Sequence, residues 1–277
     1  MMPRFQTSDG LSLHYTVRGD GPAVLCLAGL TRNGDDFAFL APYLAGYCMI
    51  TMDYRGRGYS DYDPNFMNYN VPREGLDAIE LLDHLGVDHA AIIGTSRGGL
   101  IAMALAMTHK DRLSAVMLND VGPVIEQAAI ARIMDYVGQK PAARDFESAA
   151  QAMAHVFAEQ FPRVPHERWV EVVKAQYDQS ETGLTLRYDA KLRDALIEQA
   201  KAGPAPDLWP LFDALNGLPT GVIRGGNSDL LSAYTLLEMQ SRMPKLRGVT
   251  IPDRGHVPFL DEPPAVALIT SVLKDTL

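Results

Sequence analysis

The sequence predicts an α/β fold in which a mostly parallel, doubly wound sheet carries an inserted helical lid. Strand and helix patterns alternate over the first and last parts of the 277-residue chain, as they do in α/β proteins. Several of the strands are continuous apolar runs, such as AVLCLA at residues 23–28, which are typical of strands buried on both faces of a parallel sheet. The alternation stops across residues 123–203, where only helical patterns are found.

The first half of the chain provides most of the predicted sheet. Residues 4–7 form a short strand, and residues 11–17 alternate apolar with polar side chains, as a half-exposed strand does. Apolar runs predict further strands at residues 23–28, 48–52, 90–93 and 113–118. Apolar residues at helical spacing predict helices at residues 35–44, 71–85 and 100–107.

The second half contains the predicted lid and the end of the sheet. Helical patterns cover residues 124–137, 146–161, 167–177 and 189–202, without a convincing strand. Alternation then resumes with strands at 219–223 and 248–251 and helices at 234–243 and 264–273. We therefore predict a core of residues 1–122 and 204–277 and a lid of residues 123–203. Because ligands bind at the carboxyl ends of the strands in such sheets, the lid is expected to cover that edge.

A glycine-flanked serine stands at the tip of a predicted strand-to-helix turn. The turn reads Gly94-Thr95-Ser96-Arg97-Gly98 and matches G-x-S-x-G, the nucleophile elbow. A strained serine at such a tip needs small neighbours, and the following helix directs free N–H groups toward the same place. We predict that Ser96 is a nucleophile, and that an oxyanion formed on a substrate carbonyl would face the free N–H groups at the start of the helix that begins at Arg97.

A serine hydroxyl needs a base, usually a histidine that a carboxylate orients. His256 follows the last predicted strand and is the expected base. Asp229 follows the strand at 219–223 and lies between Ser96 and His256 in the sequence, so we expect it to be the orienting acid. Asp120, directly after the strand at 113–118, is the alternative acid; otherwise it braces the turn before the lid.

Four segments resemble motifs of the α/β-hydrolase superfamily, specifically its lidded esterase, lactonase and carbon–carbon hydrolase branch. They are residues 94–98, 53–60 (DYRGRGYS), 225–230 and 255–256, and the resemblance covers nearly the whole chain. One departure is Ala28-Gly29, where relatives often have His-Gly. The backbone N–H of Leu30 can still pair with that of Arg97 to form the oxyanion hole that the resemblance implies, because neither uses its side chain. The resemblance implies a serine hydrolase that needs no cofactor. Separately, no cluster of cysteines and histidines in the sequence has the spacing of a metal site, so no bound metal is expected.

Several functions remain open at this point. The preferred one is hydrolysis of a small carboxylic ester, lactone or related acyl bond. The alternatives are hydrolysis of a carbon–carbon or enamine-type bond in ring-cleavage catabolism, and a small-molecule receptor that retains the triad with negligible turnover. Haloalkane dehalogenase and epoxide hydrolase chemistry are disfavoured, because relatives of those types have aspartate in place of Ser96.

Two arginines near the predicted site raise the question of an acidic substrate. Arg32 lies in the loop of the oxyanion amide, and Arg97 follows the nucleophile. Since arginine binds carboxylates with paired hydrogen bonds, at least one of them, with Arg32 first, is a candidate substrate contact. The alternative is that both pair with nearby acids such as Asp35 or Asp36.

Composition restricts the partners. With 25 basic and 34 acidic residues the net charge is −9, without a long basic run, which argues against nucleic acid and anionic membranes. We expect no secretory signal and no membrane span. The two cysteines, Cys26 and Cys48, are expected to be buried free thiols in a reducing, cytoplasmic compartment. The expected partner is a small-molecule substrate, and a homodimer is possible.

Overall fold

A central sheet of eight strands organises the computed structural model, which describes residues 2–203 and 206–276. In chain order the elements are β1 (Arg4–Gln6), β2 (Ser12–Arg18), β3 (Ala23–Leu27), β4 (Cys48–Met52), α1 (Val71–His84), β5 (Ala90–Thr95), α2 (Arg97–Thr108), β6 (Leu113–Asn119), α3 (Gln127–Tyr136), α4 (Phe146–Val156), α5 (His166–Gln176), β7 (Tyr177–Ser180), β8 (Gly183–Leu186), α6 (Leu192–Lys201), α7 (Trp209–Asp213), β9 (Thr220–Gly225), α8 (Ala233–Arg242), β10 (Arg247–Ile251) and α9 (Pro263–Lys274).

The strand order is β1-β2-β4-β3-β5-β6-β9-β10. β1 and β2 pair antiparallel, as do β2 and β4, and all the other neighbours are parallel. Every residue of β5 is buried, because helices cover both faces of the sheet. The predicted α/β class with a mostly parallel sheet is confirmed. The carboxyl ends of β3, β5 and β6 lie side by side at one edge of this sheet.

The structure differs from the local predictions at several places. The helix predicted at residues 35–44 is two 3-10 turns, Gly34–Phe37 and Ala41–Leu44, because Pro42 lacks the N–H that a continuous helix would need there. The short helix α7 was not predicted. Of the two thiols, Cys26 is buried but Cys48 is only half-buried; both are free, and burial raises the pKa of each.

The predicted lid, residues 123–203, contains α3 to α6 and, against prediction, the hairpin β7–β8. Its strands have four residues each, too few for a clear alternating pattern, and Gly183 at φ +128° follows the connecting turn. The predicted α4 pattern ran to residue 161, but the helix ends at Val156. Residues 204–205, where the predicted core resumes, lie outside the described residues, as do Met1 and Leu277.

Within the residues that the structure describes, none of the helices has both the length and the apolar character required to cross a membrane.

Candidate active site

The turn between β5 and α2 has the strained geometry expected of an elbow. Ser96 has φ +51° and ψ −111°, a conformation that non-glycine residues rarely adopt. The glycines are needed because the backbone segments approach closely. A Cβ at Gly94 would lie 2.5 Å from the backbone of Gly98, and one at Gly98 would collide with the carbonyl oxygen of Leu27. The turn therefore lifts the Ser96 hydroxyl above the sheet edge at the start of α2.

His256 connects the serine to a buried carboxylate. Its Nε2 lies 3.0 Å from Oγ of Ser96, and its Nδ1 lies 2.7 Å from Oδ2 of Asp120. Asp120 is fully buried, and its carboxylate also accepts hydrogen bonds from the backbone N–H of Gly225 (2.7 Å) and the hydroxyl of Ser228 (2.6 Å). These two donors hold the carboxylate in place, so that it can orient the imidazole through Nδ1.

The structure corrects the expected pairing of Asp229 with His256. The carboxylate of Asp229 forms an ion pair with Arg132 on α3 and accepts a hydrogen bond from Gln160 at 2.9 Å. Asp229 lies four residues beyond the end of β9, and the intervening loop carries it away from the histidine. Asp120, in contrast, is the first residue after β6.

The position of Asp120 follows from strand pairing. β5 and β6 are parallel neighbours, with Thr95 opposite Asn119, so the next residue on each strand is Ser96 and Asp120. His256 follows β10 at the sheet edge, and its loop brings the imidazole back between the two. The sequence signal for Asp120 was its position directly after a strand. The strand order that makes it the neighbour of Ser96 cannot be predicted from the local sequence.

The two amides expected to form an oxyanion hole are both unpaired. Among the described residues, neither the backbone N–H of Leu30 nor that of Arg97 donates a hydrogen bond within the protein. Arg97 is the first residue of α2, so the helix dipole adds positive potential there. The space that a Cβ would occupy at Gly29 lies 4.0 Å from Cβ of Ser96, which places the loop of Leu30 beside Ser96.

A buried ion cluster joins the two halves of this expected oxyanion hole. Arg57 donates from Nε to the carbonyl of Leu30 (3.0 Å) and pairs with Oε1 of Glu74 (2.8 Å). Arg97 donates from Nε to Oε2 of the same carboxylate (2.5 Å). Two arginines thus share a single fully buried glutamate, and burial lowers the pKa of Arg57. The cluster fixes the Leu30 loop relative to α2 and leaves excess positive charge close to both amides.

Sequence reasoning missed this cluster, although residues 53–60 were recognised as a motif. Asp53 organises the motif internally: its carboxylate accepts from the backbone N–H groups of Gly34 (2.8 Å) and Tyr59 (2.9 Å). Glu74 gave no signal at all, since a glutamate in the first turn of an amphipathic helix usually faces solvent.

The two arginines considered for substrate binding differ. Arg97 is buried and its guanidinium binds Glu74, so only its backbone N–H faces the site. Arg32 pairs with Asp36 through Nε alone, at 2.6 and 2.8 Å, and its side chain is 26% exposed. Of the described residues, no group of three or more His, Cys, Asp or Glu side chains is arranged to hold a metal ion.

Comparison with known proteins identifies the family. A family model described as the alpha/beta hydrolase fold matches residues 22–263. The chain is 37% identical over 257 residues to a 3-hydroxybutyrate-oligomer hydrolase of Cupriavidus necator, covering 89% of this chain and 87% of the relative. It is 26% identical to a 2-(acetamidomethylene)succinate hydrolase of Mesorhizobium japonicum, covering 89% and 85%.

A solved structure agrees with these matches. The crystal structure of an alpha/beta hydrolase from Novosphingobium aromaticivorans superimposes with a TM-score of 0.92 at 39% identity and covers 99% of this chain and 98% of that one. The match extends over the sheet, the elbow and the segment between β6 and β9 alike. The chain therefore belongs to the α/β-hydrolase family, and it is a hydrolase.

Proposed function

We propose that the protein is a serine hydrolase that cleaves a small carboxylic ester through an acyl-enzyme, with Ser96, His256 and Asp120 as its catalytic triad. The observation that carries the proposal is the hydrogen-bonded chain from Ser96 Oγ through His256 to Asp120, at 3.0 and 2.7 Å. Both distances lie in the range of a nucleophile with its base and of a base with its orienting acid.

In the first half of the reaction, Oγ of Ser96 attacks the ester carbonyl carbon while Nε2 of His256 takes the hydroxyl proton. The carbonyl oxygen becomes an oxyanion, which the N–H groups of Leu30 and Arg97 stabilise by hydrogen bonds. The C–O bond to the alcohol then breaks, and His256 returns the proton to the leaving oxygen. Asp120 holds the imidazole with Nδ1–H toward itself and stabilises the imidazolium formed in between.

In the second half, a water molecule takes the place of the alcohol. His256 removes a proton from this water, and the water oxygen attacks the acyl carbon. The N–H groups of Leu30 and Arg97 stabilise the new oxyanion. The bond to Ser96 then breaks and Oγ regains the proton, so that an acid is released and the triad is restored.

The relatives favour an ester over the alternatives. The 37% identical relative hydrolyses a 3-hydroxybutyrate oligomer, and hydroxy acids joined into an oligomer are linked by ester bonds. The 26% identical relative acts on 2-(acetamidomethylene)succinate, which keeps an enamine-type substrate as the second candidate. Both reactions would use the same three side chains, so substrate turnover has to decide between them.

We further propose that residues 123–203 act as a lid over this site. Phe161 and Trp169, both in this segment, pack on Phe259, three residues after His256, with ring centroids 5.6 and 6.3 Å away. Arg168 on α5 lies over the ring of Phe39 at 3.7 Å and pairs with Asp261 at 2.6 Å. These contacts support a segment that is docked beside the catalytic histidine.

A fluorophosphonate probe tests the nucleophile. The wild type should be labelled on Ser96, and Ser96→Ala should lose both the label and about 10⁴-fold of its kcat on p-nitrophenyl butyrate. Ser271→Ala, which changes an exposed serine on α9, is the matched control and should behave like the wild type. A label on another residue, or an active Ser96→Ala variant, would overturn the proposal.

The same assay separates the alternatives. A labelled enzyme that is inert toward esters and lactones but cleaves an acetamidomethylene compound would establish the enamine-type reaction. A protein that is labelled but turns over neither class would support the receptor.

A further inference from the structure

A group of hydrogen-bond donors without partners lies beside the oxyanion loop. Arg32 uses only Nε toward Asp36, and among the described residues its two Nη groups take part in no hydrogen bond. At Gly29, the position of a Cβ would be 3.3 Å from Cγ of Arg32 and 4.0 Å from Cβ of Ser96. Arg32 and Ser96 therefore both approach the same glycine of the oxyanion loop.

Two tyrosines from the 123–203 segment lie close to this arginine. The side chain of Asn33, next to Arg32, donates to the carbonyl of Ala175 (2.8 Å), two residues before Tyr177. Ile133 and Leu30 pack around the same small apolar cluster, which brings the C-terminal end of α3, with Tyr136, to the oxyanion loop. Within the described part of the chain, neither tyrosine hydroxyl has a hydrogen-bond partner.

The two phenols are desolvated and yet reachable. Burial raises the pKa of Tyr136 and of Tyr177, and in both the positive charge of Arg32 acts against the rise. Both hydroxyls are therefore protonated donors at neutral pH. Tyr136 is nevertheless 47% exposed. Part of its side chain is therefore open to solvent, where a substrate group can approach it.

Two carboxylates that contact these segments already have partners. Asp36 binds Arg32 on the Nε side, while Asp229 binds Arg132 and Gln160. Arg32 and the two tyrosines thus offer guanidinium Nη–H and phenol O–H groups that, among the described residues, donate to no acceptor in the protein. Such a set of donors complements a carboxylate, which has only acceptors and forms its strongest hydrogen bonds with charged donors.

We propose that Arg32, Tyr136 and Tyr177 form a subsite for a substrate carboxylate, so that the natural substrates are short esters carrying a free acid group. This inference rests on the proposed ester hydrolase function. The bond to Asp36 does not compete with it, since that bond occupies Nε and aims the guanidinium rather than covering its Nη edge. The opposing view is that Arg32 merely braces the loop.

The test compares p-nitrophenyl hemiglutarate with p-nitrophenyl pentanoate, two acyl chains that differ only in ending with a carboxylate or a methyl group. The measured quantity is the ratio of their kcat/KM values. In Arg32→Gln this ratio should fall about 10- to 100-fold, the effect of losing a hydrogen bond to a charged group. Tyr136→Phe and Tyr177→Phe should each lower it about 2- to 10-fold.

Arg18→Gln is the matched control, because it removes one arginine charge at the opposite edge of the sheet, where Arg18 pairs with Met49 at the start of β4. If the ratio falls equally in Arg18→Gln and Arg32→Gln, or falls in neither variant, the subsite proposal is wrong while the ester hydrolase function stands. If neither ester is cleaved, the proposed function fails. Calorimetry then measures the affinity for glutarate, which tests the subsite independently of catalysis. Weaker glutarate binding in Arg32→Gln than in Arg18→Gln would support it, and equal binding would overturn it.

Discussion

Replacing Asp120 by asparagine should nearly abolish turnover without removing the fold. Oδ1 of Asp120 accepts from the N–H of Gly225 at 2.7 Å, and this bond fixes which end of an asparagine keeps the oxygen. The amide NH₂ then stands at the position of Oδ2, 2.7 Å from Nδ1 of His256. Because this NH₂ can only donate, it favours the imidazole tautomer with the proton on Nε2.

That tautomer cannot accept the proton of Ser96. We therefore expect kcat to fall about 10⁴-fold, which corresponds to about 5.5 kcal/mol of lost transition-state stabilisation. Asp229→Asn, in contrast, changes a carboxylate that contacts Arg132 and Gln160 rather than the histidine, so kcat should fall by less than about 10-fold. Steady-state kinetics on p-nitrophenyl butyrate, with thermal unfolding to verify the fold, measures both.

The ranking of the two variants decides the assignment. If Asp229→Asn loses more activity than Asp120→Asn, the orienting acid is Asp229 rather than Asp120. If Asp120→Asn keeps more than about a tenth of the wild-type kcat while folded, the carboxylate has no orienting role. Fluorophosphonate labelling gives a second readout, and Asp120→Asn should be labelled far more slowly than Asp229→Asn.

Two further predictions concern the surroundings of the triad. Glu74→Gln removes the negative charge that Arg57 and Arg97 share. We expect kcat to fall about 10-fold or more at similar KM, and the free energy of unfolding to fall by about 3–5 kcal/mol. A destabilised variant with unchanged kcat would show that the cluster does not position the oxyanion amides. Arg168→Ala removes the contacts with Phe39 and Asp261 and should lower the free energy of unfolding by about 1–2 kcal/mol, which is a decrease of several degrees in Tm. Arg163→Ala, which changes an exposed arginine, is the control and should lower it by less than about 0.5 kcal/mol. Equal melting temperatures for these two variants would contradict the docking of α5 on the core.

Local patterns were sufficient for the sheet and the elbow. The runs at 48–52 and 90–93 are strands because β-branched and apolar residues fill them, and the helix patterns at 71–85 and 264–273 lie within a residue of α1 and α9. Local sequence patterns did not predict the elements whose short-range signals are weak. The hairpin β7–β8 has four-residue strands that only tertiary packing can stabilise, and Pro42 divided an otherwise plausible helix.

The candidate site divides in the same way. Ser96 was identified from the sequence because an elbow imposes its own local demands: a strained φ and close backbone contacts at Gly94 and Gly98 leave a recognisable pattern. His256 was found because it follows a strand at the expected edge of the sheet. Two aspartates, Asp120 and Asp229, also follow strands, and local sequence alone ranked them in the wrong order for contact with the histidine.

By itself, then, the sequence determined the α/β class, the parallel strands and the residues that a tight turn constrains, because hydrophobic periodicity and glycine requirements act over a few neighbouring residues. Only the tertiary structure decided that Asp120 contacts His256, that Glu74 joins Arg57 to Arg97, and that Asn33 contacts Ala175. These are contacts between residues far apart in the chain, and they depend on strand order, on loop paths and on how the 123–203 segment packs. Such long-range contacts leave no local pattern, because the sequence around each residue would be the same in a different arrangement of these strands and helices.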